Sequence, residues 1–233
     1  MSSEDKIFSL FQRWERVYPN SLSSQDKNKR FEAFKTNALY VHNYNKQDNQ
    51  HKLALNQFFD MMMDEFNKWT LSNMNDDQLF KGENQTTPFM YEFIKKNGIA
   101  TDIDYPYIGK KGQCAYANVE AAVVVKIDGY ENVPKNNESA LLRAVAHQPV
   151  TAIVAAGSPD FKHHGKMGIF KGECGGEMNH AVTIVGYGRT SCGIKYWIAK
   201  NSWGSKLLRG VNGKGGQCGI ARSPAYPVMK LLE

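Results

Sequence analysis

Two apolar segments near the end of the chain constrain its fold more than any other feature. Residues 179–188 read NHAVTIVGYG and residues 196–204 read YWIAKNSWG. Each contains a short apolar run, Ala181–Val185 in the first and Tyr196–Ala199 in the second, and runs of this kind bounded by Gly or Asn are typical of β-strands. His180 stands at the head of the first run. We therefore expect its side chain to face a cleft at one end of a sheet.

The residues before these two segments also predict strands. Val123–Ile127 and Val150–Ala155 are short apolar runs bounded by turn-forming residues. Between them, Glu138–His147 has the pattern of a helix that ends before Pro149. The chain beyond residue 100 is thus predicted to be rich in β-strands.

The first 45 residues have a different pattern, which predicts two helices. Phe8, Phe11 and Trp14 recur every three residues, and Pro19 interrupts the pattern. In the second predicted helix, the apolar residues that share one face are Phe31, Phe34, Ala38 and Val41. A capping box formed by Ser23 and Asp26 would begin this helix.

Two spaced patterns in this helical region resemble the propeptides of papain-family cysteine proteases. The residues that match the interspersed E-R-F-N-I-N pattern, with Asp for Glu and Val for Ile, are Asp26, Arg30, Phe34, Asn37, Val41 and Asn45. Those that match the G-N-F-D element, with Ala for Gly, are Ala54, Asn56, Phe58 and Asp60. The segments around His180 and Asn201 resemble the histidine and asparagine segments of the same family. The residues of these segments are most similar to those of the plant vignain-type, cathepsin-L-like branch.

The resemblance implies an α+β fold: a helical propeptide-like hairpin followed by a truncated papain-like domain, mainly its antiparallel β-barrel half. It divides the chain into a propeptide-like inhibitor region (1–69), a linker (70–92) and a truncated peptidase domain (93–233). The linker ends in FMYE, whereas residues 93–107 resemble the middle of a mature papain-like domain. The junction Glu92–Phe93 therefore has the form of a deletion, although one helix closed by Gly98 fits the same residues.

The resemblance also assigns roles to site residues. His180 would be the catalytic base, Asn201 its orienting partner, and Trp203 the shield of their hydrogen bond. The family places its cysteine nucleophile roughly 130–150 residues before the histidine, and the corresponding window of this chain contains no cysteine. The first cysteine is Cys114, and nothing around it resembles CGSCW. The Gln that donates to the oxyanion in this family belongs to the same missing segment.

The cysteines that are present have other roles by resemblance. Cys174 and Cys218 align with a disulfide pair of the β half, and Cys114 corresponds to a cysteine whose partner lies in the missing segment. Cys192, in RTSCGIK, is expected to be a surface thiol. A Cys114–Cys192 bridge stays open as an alternative, although the family resemblance does not support it.

No feature of the sequence predicts a cofactor or a metal. His163 and His164 are adjacent, so on a strand they would point to opposite faces and form a poor chelate. Ser191 and Ser202 lie in no nucleophile elbow.

Composition excludes several classes of partner. The net charge of +6 is dispersed, so nucleic-acid binding is not expected. No segment approaches the roughly 20 apolar residues that span a membrane. The N-terminus has no apolar signal-peptide core, although the family is secretory, so the sequence leaves the localisation open.

Three hypotheses about function remain. The chain is a papain-like endopeptidase homologue, with protein or peptide substrates by family, that is inactive because its nucleophile is missing. Alternatively, its propeptide-like region inhibits related papain-like proteases. Third, a mis-joined gene model has removed the nucleophile segment of an active endopeptidase at Glu92–Phe93.

Overall fold

The computed structural model describes residues 3–19, 27–49, 51–72, 86–108, 123–165, 168–203, 206–209 and 215–229. The helices are α1 (Ser3–Val17), α2 (Lys27–Lys46), α3 (Met63–Ser72), α4 (Thr86–Asn97), α5 (Glu138–His147) and α6 (Pro159–His163). The strands are β1 (Ile99–Ala100), β2 (Val123–Val125), β3 (Gly129–Asn132), β4 (Val150–Ala155), β5 (Met178–Arg189), β6 (Lys195–Lys200), β7 (Lys206–Arg209) and β8 (Ala225–Val228). The predicted α+β class is confirmed.

Helices α1 and α2 pack through an aromatic core, as their predicted faces require. Phe11 and Trp14 of α1 are buried against Phe34 of α2, with ring centroids 5.2 Å and 5.6 Å apart. Phe59, from the segment after α2, completes this core. The predicted capping box at Ser23 and Asp26 lies outside the described residues.

The polar residues of the two propeptide-like patterns hold the segment after α2 in place. The Asn37 amide donates to the carbonyl oxygens of Phe59 and Met61, both at 2.8 Å. The Asn45 amide donates to the Leu53 carbonyl at 2.8 Å and accepts from its N–H at 2.9 Å. These bonds satisfy backbone groups that no helix or strand would pair, which explains why the patterns need Asn at these positions.

The second half of the chain forms a six-stranded antiparallel sheet in the order β3-β8-β4-β5-β6-β7. Helix α5 has the bounds that the sequence predicts, and the Asn137 side chain caps it by accepting the Ala140 N–H at 2.9 Å. Strand β5 is longer than predicted because its hairpin with β6 continues to the pair Arg189 and Lys195. The core between α5 and the sheet includes Leu141, Val150, Val154, Ile184 and Ile220.

Helix α4 crosses the junction that the sequence indicates at Glu92–Phe93, so the two segments are continuous in one helix. It begins inside the segment assigned to the linker, and its Gly98 carries the positive φ of 80° that ends many helices. The Tyr91 hydroxyl anchors α4 to the sheet by donating to Thr151 Oγ1 at 2.9 Å and to the Ala225 carbonyl at 3.1 Å.

Cys174 and Cys218 form a disulfide across a sequence separation of 44 residues, with their Cα atoms 5.1 Å apart. Replacing both by Ser should lower the free energy of unfolding by about 4 kcal/mol, because the bond restricts the unfolded chain. Urea unfolding of the double variant, with Cys192→Ser as the control at an exposed thiol, measures the effect. A loss below about 1 kcal/mol would show that the disulfide contributes little.

Candidate active site

His180 and Asn201 meet because strands β5 and β6 are antiparallel neighbours. Thr183 of β5 pairs with Lys200 of β6, so the start of β5 and the end of β6 lie at the same end of the sheet. His180 Nε2 is 2.9 Å from Asn201 Oδ1. Since the amide oxygen can only accept, the proton is on Nε2 and the basic lone pair of a neutral imidazole lies on Nδ1.

The pair is held in a largely apolar environment. The exposed fractions of His180 and Asn201 are 8% and 7%. The Trp203 indole stacks on the imidazole with ring centroids 4.0 Å apart and an interplanar angle of 22°. The backbone N–H of Trp203 donates to Asn201 Oδ1 at 3.3 Å. Exclusion of water strengthens the His180–Asn201 hydrogen bond, and the stack fixes the plane of the ring.

Three aromatic side chains from the N-terminal region cover the other side of Trp203, and we call Phe58, Phe66 and Trp69 the aromatic cover. Their ring centroids lie 5.1, 5.4 and 5.6 Å from that of Trp203. Phe58 and Phe66 are buried and meet edge to face at 5.2 Å. The propeptide-like region therefore packs directly on the tryptophan that shields the His180–Asn201 pair.

The same region docks on the segment 158–164, which we call the docking strip. The backbone of Leu53 bridges that of His164 in antiparallel fashion, and the Ala54 N–H donates to the His163 carbonyl at 2.9 Å. The Asn56 amide donates to the Lys162 carbonyl at 2.6 Å. Backbone pairing of this kind fixes the register of the two segments.

Side chains of the propeptide-like region make further contacts with the docking strip. The Tyr40 hydroxyl donates to Asp160 Oδ1, and burial together with this carboxylate raises the pKa of Tyr40. His163 Nε2 lies 3.2 Å from Asn37 Oδ1, and its ring meets Phe59 edge to face at 4.7 Å. Burial lowers the pKa of His51, whose ring packs 5.5 Å from that of His164.

His163 and His164 thus differ from the sequence-based expectation. They lie at the end of α6 and just after it rather than on a strand, and both are buried. Each contacts the propeptide-like region, so their burial serves the docking of two segments. Within the described ranges, no group of three or more His, Cys, Asp or Glu side chains could hold a metal ion.

The burial of Lys162 in the docking strip is not predicted by the sequence. It is completely buried, its ammonium donates to the Met61 carbonyl, and it lies 5.6 Å from the centre of the Phe66 ring. Burial lowers the pKa of Lys162 to about 8, against the opposing attraction of Asp60 and Glu65. No local pattern distinguishes this lysine from an exposed one.

The thiols do not join this site in the part of the chain that the structure describes. Cys174 and Cys218 are bonded to each other, and Cys192 is free and exposed. Cys192 follows the far end of β5, which is Arg189. Arg189 lies nine positions beyond His180 along the strand, a span of roughly 25–30 Å. Its sulfur lies 3.0 Å from Thr190 Oγ1, and this hydrogen bond lowers the pKa of the thiol. Cys114 lies outside the described residues.

Two family models match the chain. Residues 77–228 match the papain family cysteine protease model, and residues 11–66 match the cathepsin propeptide inhibitor domain. The chain belongs to the papain family. The first match covers the sheet and the His180–Asn201 pair. The second covers α1 from Phe11 onwards, all of α2, and Phe58 and Phe66 of the aromatic cover. No helix among the described residues is long and apolar enough to span a membrane.

Relatives support this family assignment. Vignain from Ricinus communis is 34% identical over 319 aligned positions, which cover 99% of this chain and 88% of that protein. A low-temperature-induced cysteine proteinase from Solanum lycopersicum is 48% identical over 149 residues, covering 60% of this chain and 42% of that protein.

Solved structures of papain-family precursors share the fold. The Amb a 11 cysteine protease of ragweed pollen in its proform superposes with a TM-score of 0.80 at 27% identity, covering 99% of this chain and 97% of that one. A recombinant stem bromelain precursor superposes with a TM-score of 0.78 at 28% identity, covering 97% of this chain and 100% of that one.

Sequence reasoning anticipated His180, Asn201 and Trp203, and the structure brings all three together. It missed the docking strip and the aromatic cover as contacting surfaces. The sequence identifies Phe58 only as part of the G-N-F-D element, and no local pattern relates it to Trp203. The contacts of Lys162 with Met61 join residues 101 positions apart, which no local pattern reports.

Proposed function

We propose that this chain is a papain-family homologue that does not hydrolyse peptide bonds and keeps its His180–Asn201 pair covered by its own propeptide-like region. The observation that carries the proposal is the position of the thiols. In the residues that the structure describes, the one free thiol is that of Cys192, at the opposite end of strand β5 from His180.

The chemistry explains why this position matters. In this family a thiolate attacks the peptide carbonyl while the imidazole holds the proton, and the two groups must be within hydrogen-bond reach. Loss of the nucleophile costs about 10⁶ in turnover in well-studied hydrolases, or roughly 8 kcal/mol of transition-state stabilisation. Without that nucleophile, the hydrogen bond to Asn201 would still orient the His180 imidazole, but no thiol would be within its reach to be deprotonated.

The relationship to vignain agrees with this proposal. The alignment spans 319 positions, whereas the chain has 233 residues, so this chain has no residue at many positions of that alignment. The first cysteine, Cys114, follows the helix α4 in which the linker-like and mature-domain-like segments join. A segment that carried the nucleophile in the relatives would be among the positions without a counterpart.

Peptidase activity tests the proposal. The intact chain and Phe66→Ala, which opens the aromatic cover, are incubated with fluorogenic dipeptide and protein substrates between pH 4.5 and pH 7. His180→Ala is the matched control. We expect the turnover of all three proteins to be equal and at background. Turnover that rises in Phe66→Ala and disappears in Phe66→Ala with His180→Ala would refute the proposal.

A second candidate function is inhibition of related papain-like proteases in trans. It is favoured by the aromatic core of α1 and α2, which is built from residues of the propeptide-like region alone. Such a region could retain its shape when it leaves the docking strip. Because docking within one chain occurs at a high effective concentration, it competes with binding to another enzyme.

The competition provides a direct test of this second function. His163→Ala weakens the docking strip without altering the propeptide-like region, and Lys200→Ala changes an exposed residue elsewhere. We expect His163→Ala to inhibit an active vignain-like endopeptidase at sub-micromolar concentration and more tightly than the unmodified chain or Lys200→Ala. The absence of inhibition by any of the three at about 50 μM, roughly two orders of magnitude above that range, would contradict this second function.

A further inference from the structure

A cavity of about 340 Å³ lies between the first turn of α5 and the outer end of the β5–β6 hairpin. Glu138, Ser139 and Leu142 form the helical wall. The residues of the hairpin wall are Tyr187, Gly188, Arg189, Lys195, Tyr196 and Trp197. The volume is in the range of sites that bind small organic molecules.

The strand register explains the composition of the hairpin wall. Tyr187 pairs with Trp197, and Arg189 pairs with Lys195. Directly opposite residues of an antiparallel pair project to one face, as do residues two apart on a strand, so these four side chains share the face towards α5. The aromatic pair lies further along the strands towards the middle of the sheet, and the basic pair lies next to the turn of the hairpin.

The aromatic part of the cavity is preorganised. Trp197 is buried, and its indole N–H donates to Glu138 Oε1 at 2.9 Å, which fixes the ring against the helix. Its ring meets Tyr187 edge to face at 6.1 Å. Tyr187 and Leu142 remain 43% and 40% exposed, so apolar surface faces the cavity opening. An apolar ligand would remove this surface from water against a Trp197 ring that is already held in place.

Among the residues that line the cavity, the two cations outnumber the single carboxylate. Arg189 and Lys195 are exposed and take part in none of the ion pairs of the described residues, which involve Lys27, Arg30 and Lys35. The carboxylate of the cavity, Glu138, already accepts the Trp197 hydrogen bond. Two cations beside an aromatic floor are complementary to a planar apolar group that carries one negative charge.

We propose that this cavity binds a small aromatic monocarboxylate, with the ring system against Tyr187, Trp197 and Leu142 and the carboxylate between Arg189 and Lys195. The site lies at the opposite end of β5 from His180, so it is independent of the His180–Asn201 pair and of the proposed function. A double-ring ligand of about a dozen heavy atoms suits the volume.

Isothermal titration calorimetry with 2-naphthoate tests the proposal, with 2-naphthamide as the uncharged control ligand. We expect one saturable site with a Kd below about 1 mM for 2-naphthoate, consistent with typical ligand efficiencies. Binding of 2-naphthamide should be weaker by about tenfold. Raising the salt concentration should weaken the binding of 2-naphthoate but not that of 2-naphthamide.

Variants locate the site. The double variant Arg189→Gln with Lys195→Gln should bind 2-naphthoate about tenfold more weakly and should bind 2-naphthamide as well as the unmodified chain does. Leu142→Trp fills the cavity and should abolish binding of both ligands, with Lys200→Gln, an exposed lysine of β6 outside the cavity, as the matched control. The double Gln variant changes exposed side chains and should keep its fold. Equal binding of the two ligands, or equal binding by the double variant and the unmodified chain, would overturn the proposal.

Discussion

Replacing Phe66 by Ala is expected to lower the free energy of unfolding by about 3–5 kcal/mol. Phe66 is completely buried and packs on Phe58 at 5.2 Å and on Trp203 at 5.4 Å. The substitution also removes the ring beside the Lys162 ammonium. Urea unfolding followed by tryptophan fluorescence measures the loss, and emission of the native state should shift to the red because Trp203 becomes hydrated.

The matched control is Phe93→Ala, which removes the same atoms from a side chain that is 42% exposed. Its cost should be well below that of Phe66→Ala, because about two-fifths of the Phe93 surface is already in contact with water. If Phe66→Ala costs no more than Phe93→Ala, or leaves the tryptophan emission of the native state unchanged, the propeptide-like region does not cover this site in solution.

The second large effect is a pH dependence of the free energy of unfolding that arises from titration of the buried Lys162. Its pKa of about 8 in the folded chain lies below the unfolded value, so between the two values the unfolded chain binds more protons. Stability from this group therefore rises with pH from about 8 upwards, and the full cost of burying the ammonium is present below that pH. We expect the free energy of unfolding to rise by about 1.5 kcal/mol between pH 8 and pH 9.5 from Lys162 alone.

Lys162→Met keeps the length of the side chain and removes the charge, so this rise should be missing in the variant. The difference between the two proteins, measured by urea unfolding at constant ionic strength, isolates Lys162 from the other groups that titrate. Lys200→Met, at an exposed position, should retain the rise of the unmodified chain. Parallel pH profiles for the unmodified chain and Lys162→Met would contradict burial of the ammonium.

Local patterns predicted those elements whose order depends on their own residues. The apolar face of α2 and the bounds of α5 follow from helical periodicity together with the Asn137 cap and Pro149. The middle of β5 likewise follows from the short apolar run Ala181–Val185 after His180, although the strand itself begins at Met178. In each of these cases the sequence and the tertiary contacts favour the same structure, which is the condition under which such predictions succeed.

The site required contacts that local patterns do not contain. The docking strip matches no predicted element, because apart from Pro159 and Phe161 its side chains are polar or charged. Several of these polar side chains become buried against the N-terminal region. Lys162 and His163 illustrate the difficulty, since residues of these types are usually exposed. The aromatic cover joins Phe58 to Trp203 across most of the chain. Burial of this kind is a property of two segments together.

Intact-protein mass spectrometry after treatment with a thiol-directed epoxide that mimics a peptide substrate tests the central claim most directly. The unmodified chain, Phe66→Ala and His180→Ala are treated in parallel, and iodoacetamide under denaturing conditions counts the reactive thiols of each. We predict no epoxide adduct that depends on His180, since no described thiol lies beside that imidazole. One adduct per chain on Cys114 that His180→Ala abolishes would show a working nucleophile and contradict the account.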